Sequence, residues 1–237
     1  MEVKLSKKPK NPIIIEGFPG FGLVGTIATE FLIEHLKCEQ IGKYYFDDLP
    51  ATIAIHEGKV VDPIGIFYNK KYNIAIIHSI SAVAGMEWKA ADLIIEIAKQ
   101  LTAKELICLE GVGGLNTELS EENRVFFNSN NAKIKKDLES TGIKELKEGI
   151  IIGVTSALLL KAEFPLACIF AEAHTNLPDS RASAQIIKVL DKYLGLEVDY
   201  KPLLEQAHKF EEKLKGLLEK SQKAMTDQEK KQLSYVG

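Results

Sequence analysis

Apolar residues fall into two rhythms along this chain. Short, nearly continuous runs, such as Ile13-Ile14-Ile15 and the stretch from Leu166 to Ala173, predict strands buried on both faces. Between them, apolar residues recur at helical spacing: Ile27, Phe31, Ile33 and Leu36, then Trp88, Ala91, Leu93, Ile94, Ile97 and Leu101, then Ala182, Ile186, Ile187, Leu190 and Leu194. The patterns predict strands over 12–17, 41–46, 105–109, 124–128, 150–152 and 166–173. They predict helices over 26–36, 86–101, 133–140, 155–161 and 178–194. The segment 51–78 instead reads as consecutive strands, turning at Glu57-Gly58 and at Asn69-Lys70-Lys71. Strand and helix in alternation, with an antiparallel insertion early on, imply an α/β sandwich around a central mixed sheet, here expected to be three-layered.

The pattern changes near residue 199. A helix over 202–220 carries an apolar stripe of Leu203, Leu204, Ala207, Phe210, Leu214, Leu217 and Leu218. A polar stretch follows, and the chain then turns apolar again at Leu233-Ser234-Tyr235-Val236-Gly237. The expected division is an α/β core at 1–198, an amphipathic helix at 199–222 and a flexible tail with an apolar tip at 223–237.

The run GFPGFGLVG at 17–25 contains G-x-G-x-x-G at Gly20, Gly22 and Gly25, with Asp47 and Asp48 downstream where a ribose-binding acid would stand. Three features favour a structural turn with close strand-to-helix packing. The triplet starts late, after Gly17, Phe18 and Pro19. Pro19 lacks an N–H, and Phe18 and Phe21 are bulky where a cofactor needs open backbone. Finally, strands follow the helix instead of a further strand–helix unit. A second glycine turn is expected at Gly111, Gly113 and Gly114. No cofactor is expected at either turn.

Composition narrows the classes. Hydrophobic residues make up 46% and charged residues 27%, with a net charge of −3. This is ordinary for a globular protein and offers no basic field for nucleic acid. The longest apolar stretches are too short to span a bilayer, and the N-terminus does not resemble a secretory signal. Cys38, Cys108 and Cys168 are widely spaced and the chain has no C-x-x-C, so no metal site is expected. The expected location is cytoplasmic, without membrane or nucleic-acid partners.

An enzyme reading would draw on residues at strand ends: His78-Ser79, Glu110, and Glu172 with His174. A phosphate could meet backbone N–H groups of the glycine turns. The chain has two arginines, Arg124 and Arg181, and neither lies in a glycine turn. That weakens a phosphorylase- or hydrolase-like activity on a nucleoside or related metabolite, with Glu110, Glu172 or His174 as acid–base groups.

Several landmarks, taken in order, carry a resemblance. They are GFPGFGLVG, Leu49-Pro50, Glu110 with its glycines, GIIIGVTSALL, and Leu177-Pro178-Asp179 followed by RASAQIIKVLDKYLGLEVDYKPLLEQA. Over residues 10–220 the chain resembles the proteasome assembly chaperone family, specifically archaeal homologues of the second eukaryotic assembly chaperone. The resemblance implies a nucleoside-phosphorylase-like layout, no catalytic residues, and binding to the outer ring of the core proteasome particle. It also implies a role for the tail. Core-particle activators often end in hydrophobic–Tyr–any residue and insert that tip between outer-ring subunits. Here Tyr235 stands third from the end and follows Ser234, with Leu233, Val236 and Gly237 as the other docking residues. The resemblance and the amphipathic C-terminal helix together imply a homo-oligomer, whose several tails would gain by effective concentration.

Overall fold

A computed structural model describes residues 3–51, 53–56, 58–113, 124–173, 178–202, 204–205 and 215–216. The strands are β1 (Ile13–Gly17), β2 (Glu39–Tyr44), β3 (Ala54–His56), β4 (Lys59–Val61), β5 (Ile64–Asn69), β6 (Ile74–Ser79), β7 (Glu105–Gly113), β8 (Val125–Ser129), β9 (Lys144–Glu145) and β10 (Leu166–Ala173). The helices are α1 (Val24–His35), α2 (Glu87–Gln100), α3 (Ala132–Glu139), α4 (Val154–Lys161) and α5 (Ser180–Leu194).

Eight strands form one mixed sheet in the order β2-β5-β6-β1-β7-β10-β8-β9, and β3 with β4 forms a separate hairpin. The centre, β6-β1-β7-β10, is parallel throughout. Those central strands carry the continuous apolar runs, because a strand covered on both faces needs apolar side chains at every position. Ile14 and Ile15, consecutive residues, are both fully buried on opposite faces. On one face α1, α3 and α5 pack over Ile15, Ile107 and Ile169; on the other α2 and α4 pack over Ile14, Cys108 and Phe170. The molecule is therefore an α/β three-layer sandwich. Each such fully buried Ile or Phe contributes about 1.5–3 kcal/mol.

Local chemistry marks the helix ends. Asn131 caps α3, its side chain accepting from the N–H groups of Lys133 and Ile134. Asp179 caps α5 by accepting from Ala182, and Gly195 closes that helix at φ 63°. Beyond it, Leu196 and Val198 turn back into the core beside α5, where Tyr72 donates its hydroxyl proton to the Leu196 carbonyl at 2.7 Å.

Two expected elements differ. Residues 150–152 form no strand: Ile150 is 89% exposed and Ile152 80%. The sheet ends instead at β9, which pairs with β8, so no strand lies beside 150–152 to accept the ladder. The second glycine turn is also displaced, because β7 continues through Gly111 to Gly113 alongside β10, Ala171 facing Gly111 and Ala173 facing Gly113. Of the expected C-terminal helix, residues 201–202, 204–205 and 215–216 are described and helical. Gly114, His174 and the tail tip Leu233, Tyr235, Val236 and Gly237 lie outside the described residues.

Candidate functional site

The glycine turn leaves the end of β1, makes a short 3-10 turn at Phe21–Leu23 and enters α1. Its glycines occupy space that no side chain can share. A Cβ on Gly17 would stand 2.2 Å from the Gly25 carbonyl oxygen, and one on Gly25 would stand 2.2 Å from that of Leu109. Across the sheet, a Cβ on Gly111 would meet the Phe21 carbonyl oxygen at 2.0 Å. These contacts press the start of α1 directly onto β1 and β7. Gly22, at φ 64°, takes the left-handed conformation that a β-branched residue resists, and Leu23 follows at φ 51°.

Beneath the turn, on the α2/α4 side, sit two carboxyl groups. Glu16, at the end of β1, is buried, and its Oε1 has no hydrogen-bond partner among the described residues. Burial pushes its pKa up to about 7, with bonds from Cys108, Thr155 and the Phe18 backbone opposing. Glu110, on β7, accepts from Thr155 Oγ1 at 3.0 Å, Thr155 standing in the first turn of α4. A Cβ on Gly20 would fall 2.0 Å from Glu110 Oε1, so backbone closes over the carboxylate although the residue as a whole is only half-buried. Burial first, and then the nearby Glu16 charge, raise the Glu110 pKa to about 8; Thr155 and the backbone of Gly111 and Phe21 oppose. Two acids enclosed this closely favour holding at least one proton at neutral pH.

The other acid–base candidates do not join them. His78 faces α1, on the opposite side of the sheet. Its Nδ1 is 2.9 Å from Thr29 Oγ1, and its Nε2 lies 2.8 Å from Glu30 Oε2. Glu172 stands opposite Val112 and is engaged by Arg124, which donates to both carboxylate oxygens at 2.8 Å. That pairing occupies Arg124 and raises its pKa further, through its hydrogen bonds to Glu172 first. Neither described glycine segment carries a basic side chain. Among the described residues no group of three or more His, Cys, Asp or Glu side chains is placed to hold a metal ion.

The second notable region lies at the other end of the polarity scale. The β3–β4 hairpin stands apart from the main sheet, with Ile53 at 57%, Ile55 at 68% and Val60 at 60% exposure. Tyr45 is exposed beside it. Between the hairpin and the loop after β2 runs a groove of about 540 Å³, walled by Leu49, Pro50, Ile53, Val60 and Val83. Within its lining, Lys43 pairs with Asp62 at 3.2 Å, while Asp47 adds a further carboxylate.

The model of the PAC2 family matches residues 14–218. The chain belongs to the PAC2 family. Among its relatives, an uncharacterized protein of Methanocaldococcus jannaschii, MJ0106, is 30% identical over 230 residues, covering 96% of this chain and 94% of its own length. Pyrococcus furiosus PbaA, described as an archaeal homolog of proteasome-assembly chaperone, superposes with a TM-score of 0.82 at 32% identity, covering 94% of this chain and 99% of PbaA. Pyrococcus furiosus PbaB, described as an archaeal proteasome activator, shares the fold, with a TM-score of 0.74 at 22% identity over 91% of this chain and 98% of its own.

Sequence reading of this PAC2 member passed over Glu16 and the hairpin surface. Glu16 left a faint signal: a single acid closing the run Ile13-Ile14-Ile15, where a strand buried on both faces has no place for a free charge. The hairpin left none, because its alternation fixes which residues share a face and not whether anything covers it.

Proposed function

We propose that this chain is a non-catalytic protein that binds the proteasome core particle, as an assembly chaperone or an ATP-independent activator. The observation that carries the reading is the likeness to PbaA, at 32% identity over 94% of the chain, together with PAC2 membership over 14–218. Docking runs through the tip Leu233, Ser234, Tyr235, Val236 and Gly237 onto the outer ring. A short apolar tip with one aromatic anchor binds weakly alone. Several copies on a homo-oligomer would bind together through effective concentration. The glycines at 17–25 serve packing in this reading, and the protein works in the cytoplasm.

The reading asks no chemistry of the buried acids. Glu16 and Glu110 are roofed by the turn, and Arg124 is committed to Glu172. The test mixes the core particle with the full chain and with a chain lacking residues 235–237, measuring surface binding and fluorogenic-peptide hydrolysis. Loss of binding or stimulation on truncation is the expected result. Equal binding by both would move the contact to the folded body. No binding by either would overturn the reading and leave a phosphorylase- or hydrolase-like activity ahead.

A further inference from the structure

At the end of the sandwich where β1, β6 and β7 begin, the loops are bonded to one another. The Asn11 N–H donates to the Leu101 carbonyl at 3.1 Å, and the Lys104 N–H to that of Pro12 at 2.9 Å. The Asn73 side-chain amide donates to the carbonyls of Lys10 and Asn11, each at 3.2 Å, and Thr102 Oγ1 lies 3.1 Å from Asn11 Oδ1. The Asn69 amide reaches the Leu36 carbonyl at 2.7 Å, which brings the end of α1 to the same place. Asn11, Asn73 and Thr102 stand at φ 52°, 52° and 48°, left-handed conformations that these bonds hold in place.

This platform is nearly all of one sign. Segments 7–12, 34–39, 69–73, 101–105 and 196–197 carry Lys7, Lys8, Lys10, Lys37, Lys70, Lys71 and Lys104, all exposed. Their exposed carboxylates are Glu34, Glu39 and Glu197. Lys7 meets Glu39 at 2.6 Å and Lys71 meets Glu197 at 3.0 Å. Glu105 lies beneath, buried and bonded by the Tyr193 hydroxyl at 2.9 Å. Seven lysines against three exposed carboxylates leave four positive charges in excess, on a chain whose net charge is −3. Such an asymmetry orients an approaching anionic surface before contact.

The side chains select which anion. All seven cations are lysines, compact hydrated charges without the guanidinium fork that grips phosphate in a bidentate way. The platform's tyrosines, Tyr68 and Tyr72, are partly buried with their hydroxyls spent on Asn73 and Leu196, so no ring stands free to stack on a base. Among the described residues, the exposed large apolar side chains are Tyr45 and those of the hairpin, Trp88, Ile150, Ile152, Leu160 and Leu204; none of them belongs to these segments, and a lipid surface would find nothing to insert. Carboxylates on a protein surface match what remains. The chain's own course brings a partner here, because the segment after α5 passes through the platform: Tyr72 bonds the Leu196 carbonyl and Lys71 pairs with Glu197. The C-terminal part therefore starts from this end.

We infer that the lysine platform is a docking surface for an acidic protein surface, carried by the partner that the C-terminal tail engages. The partner's identity rests on the docking reading above, and the sign of its surface rests on the platform. Two contacts on one partner reinforce each other through effective concentration, and the lysines act chiefly on the rate of encounter.

The test follows the fluorescence anisotropy of a labelled polyglutamate peptide titrated with the full chain. Binding at low salt that fades as salt rises is the expected result. Lys10→Glu, Lys70→Glu and Lys104→Glu together should weaken it about tenfold. Lys133→Glu, Lys136→Glu and Lys144→Glu change the net charge equally on α3 and β9, at the far edge of the sheet, and should weaken it less than about twofold. Circular dichroism verifies each fold; the milder Lys10→Gln, Lys70→Gln and Lys104→Gln set, expected to weaken binding about threefold, serves if the charge reversals fail to fold. Equal losses in the two reversed sets would mean that net charge alone draws the peptide, and absence of binding that the platform has no affinity for carboxylates; either overturns the inference. Tighter binding of a single-stranded RNA of equal charge, or of phosphatidylserine vesicles, would overturn the choice of a protein partner. No core particle is present, so failure of the platform and failure of tail docking are read separately.

Discussion

The glycine turn under α1 and the β3–β4 hairpin place polarity and apolarity in opposite settings. At the turn, two carboxyl groups and a threonine hydroxyl lie between the sheet and α4, under backbone on which an added Cβ would fall below ordinary van der Waals distance. At the hairpin, isoleucine and valine side chains face water over an open groove. An enzyme of this architecture would present polar groups in an accessible crevice at the strand ends. Here Glu16 is buried and Glu110 is covered by the Gly20 backbone, while the hairpin exposes apolar side chains. The difference is in keeping with the non-catalytic, contact-making role proposed above.

The largest way to break that contrast is to force the turn open. Gly25→Ala places a Cβ 2.2 Å from the Leu109 carbonyl oxygen, which belongs to a central strand and cannot yield. The expected cost is about 4 kcal/mol or more, the range of severe core disruption, read from the urea midpoint at unchanged slope. Gly58→Ala at the hairpin is the matched control. It has φ 74° with nothing within 4 Å of the new Cβ, so only backbone strain is charged, about 1 kcal/mol. Equal costs at the two sites would mean that the turn is not held by close packing.

The second prediction concerns the sealed acids and pH. Both have folded pKa values, about 7 for Glu16 and about 8 for Glu110, raised from an ordinary 4.5. Between the ordinary and raised values the folded state binds more protons than the unfolded chain, so unfolding free energy falls as pH rises. The contribution is complete below pH 4.5 and is lost progressively as pH climbs through about 7 and 8. The loss should amount to several kcal/mol, followed by thermal unfolding across that window. Glu105 adds in the same direction, raised chiefly by burial. Glu145 works oppositely, drawn down to about 2 by hydrogen bonds from Lys135 and Lys147, and matters only on the acid side. Glu16→Gln with Glu110→Gln should flatten the neutral slope. A slope unchanged in that double variant would show that the acids are open to water.

Much of this arrangement was legible in the sequence where one principle acted alone. The apolar runs at β1, β7 and β10 announced buried strands, and the spacing of Leu93, Ile94 and Ile97 announced α2. Legibility failed where a neighbour decided. Gly111 looked like a turn residue, yet its reason is the Phe21 carbonyl pressed against it, a contact between segments some ninety positions apart. Ile150, Ile151 and Ile152 carry strong strand preference, but strands need a partner and β9 took the edge. The carboxyl pair was half visible, since Glu110 was singled out from its strand end while Glu16 needed the fold to bring the two together.

The smallest effect tests the other half of the contrast. Ile55 is 68% exposed on a hairpin outside the main sheet, so it gains little from folding. Ile55→Lys should therefore change stability by no more than about 0.5 kcal/mol, leave the pH profile of the acid pair untouched, and reduce any tendency to associate by removing exposed apolar area. The measurement pairs urea unfolding with light scattering at rising concentration. A large loss of stability would mean that the hairpin's apolar face is covered in the folded protein, by its own chain or by a second copy. Dilution separates those two, because cover from a second copy weakens as the protein is diluted and cover from the same chain does not.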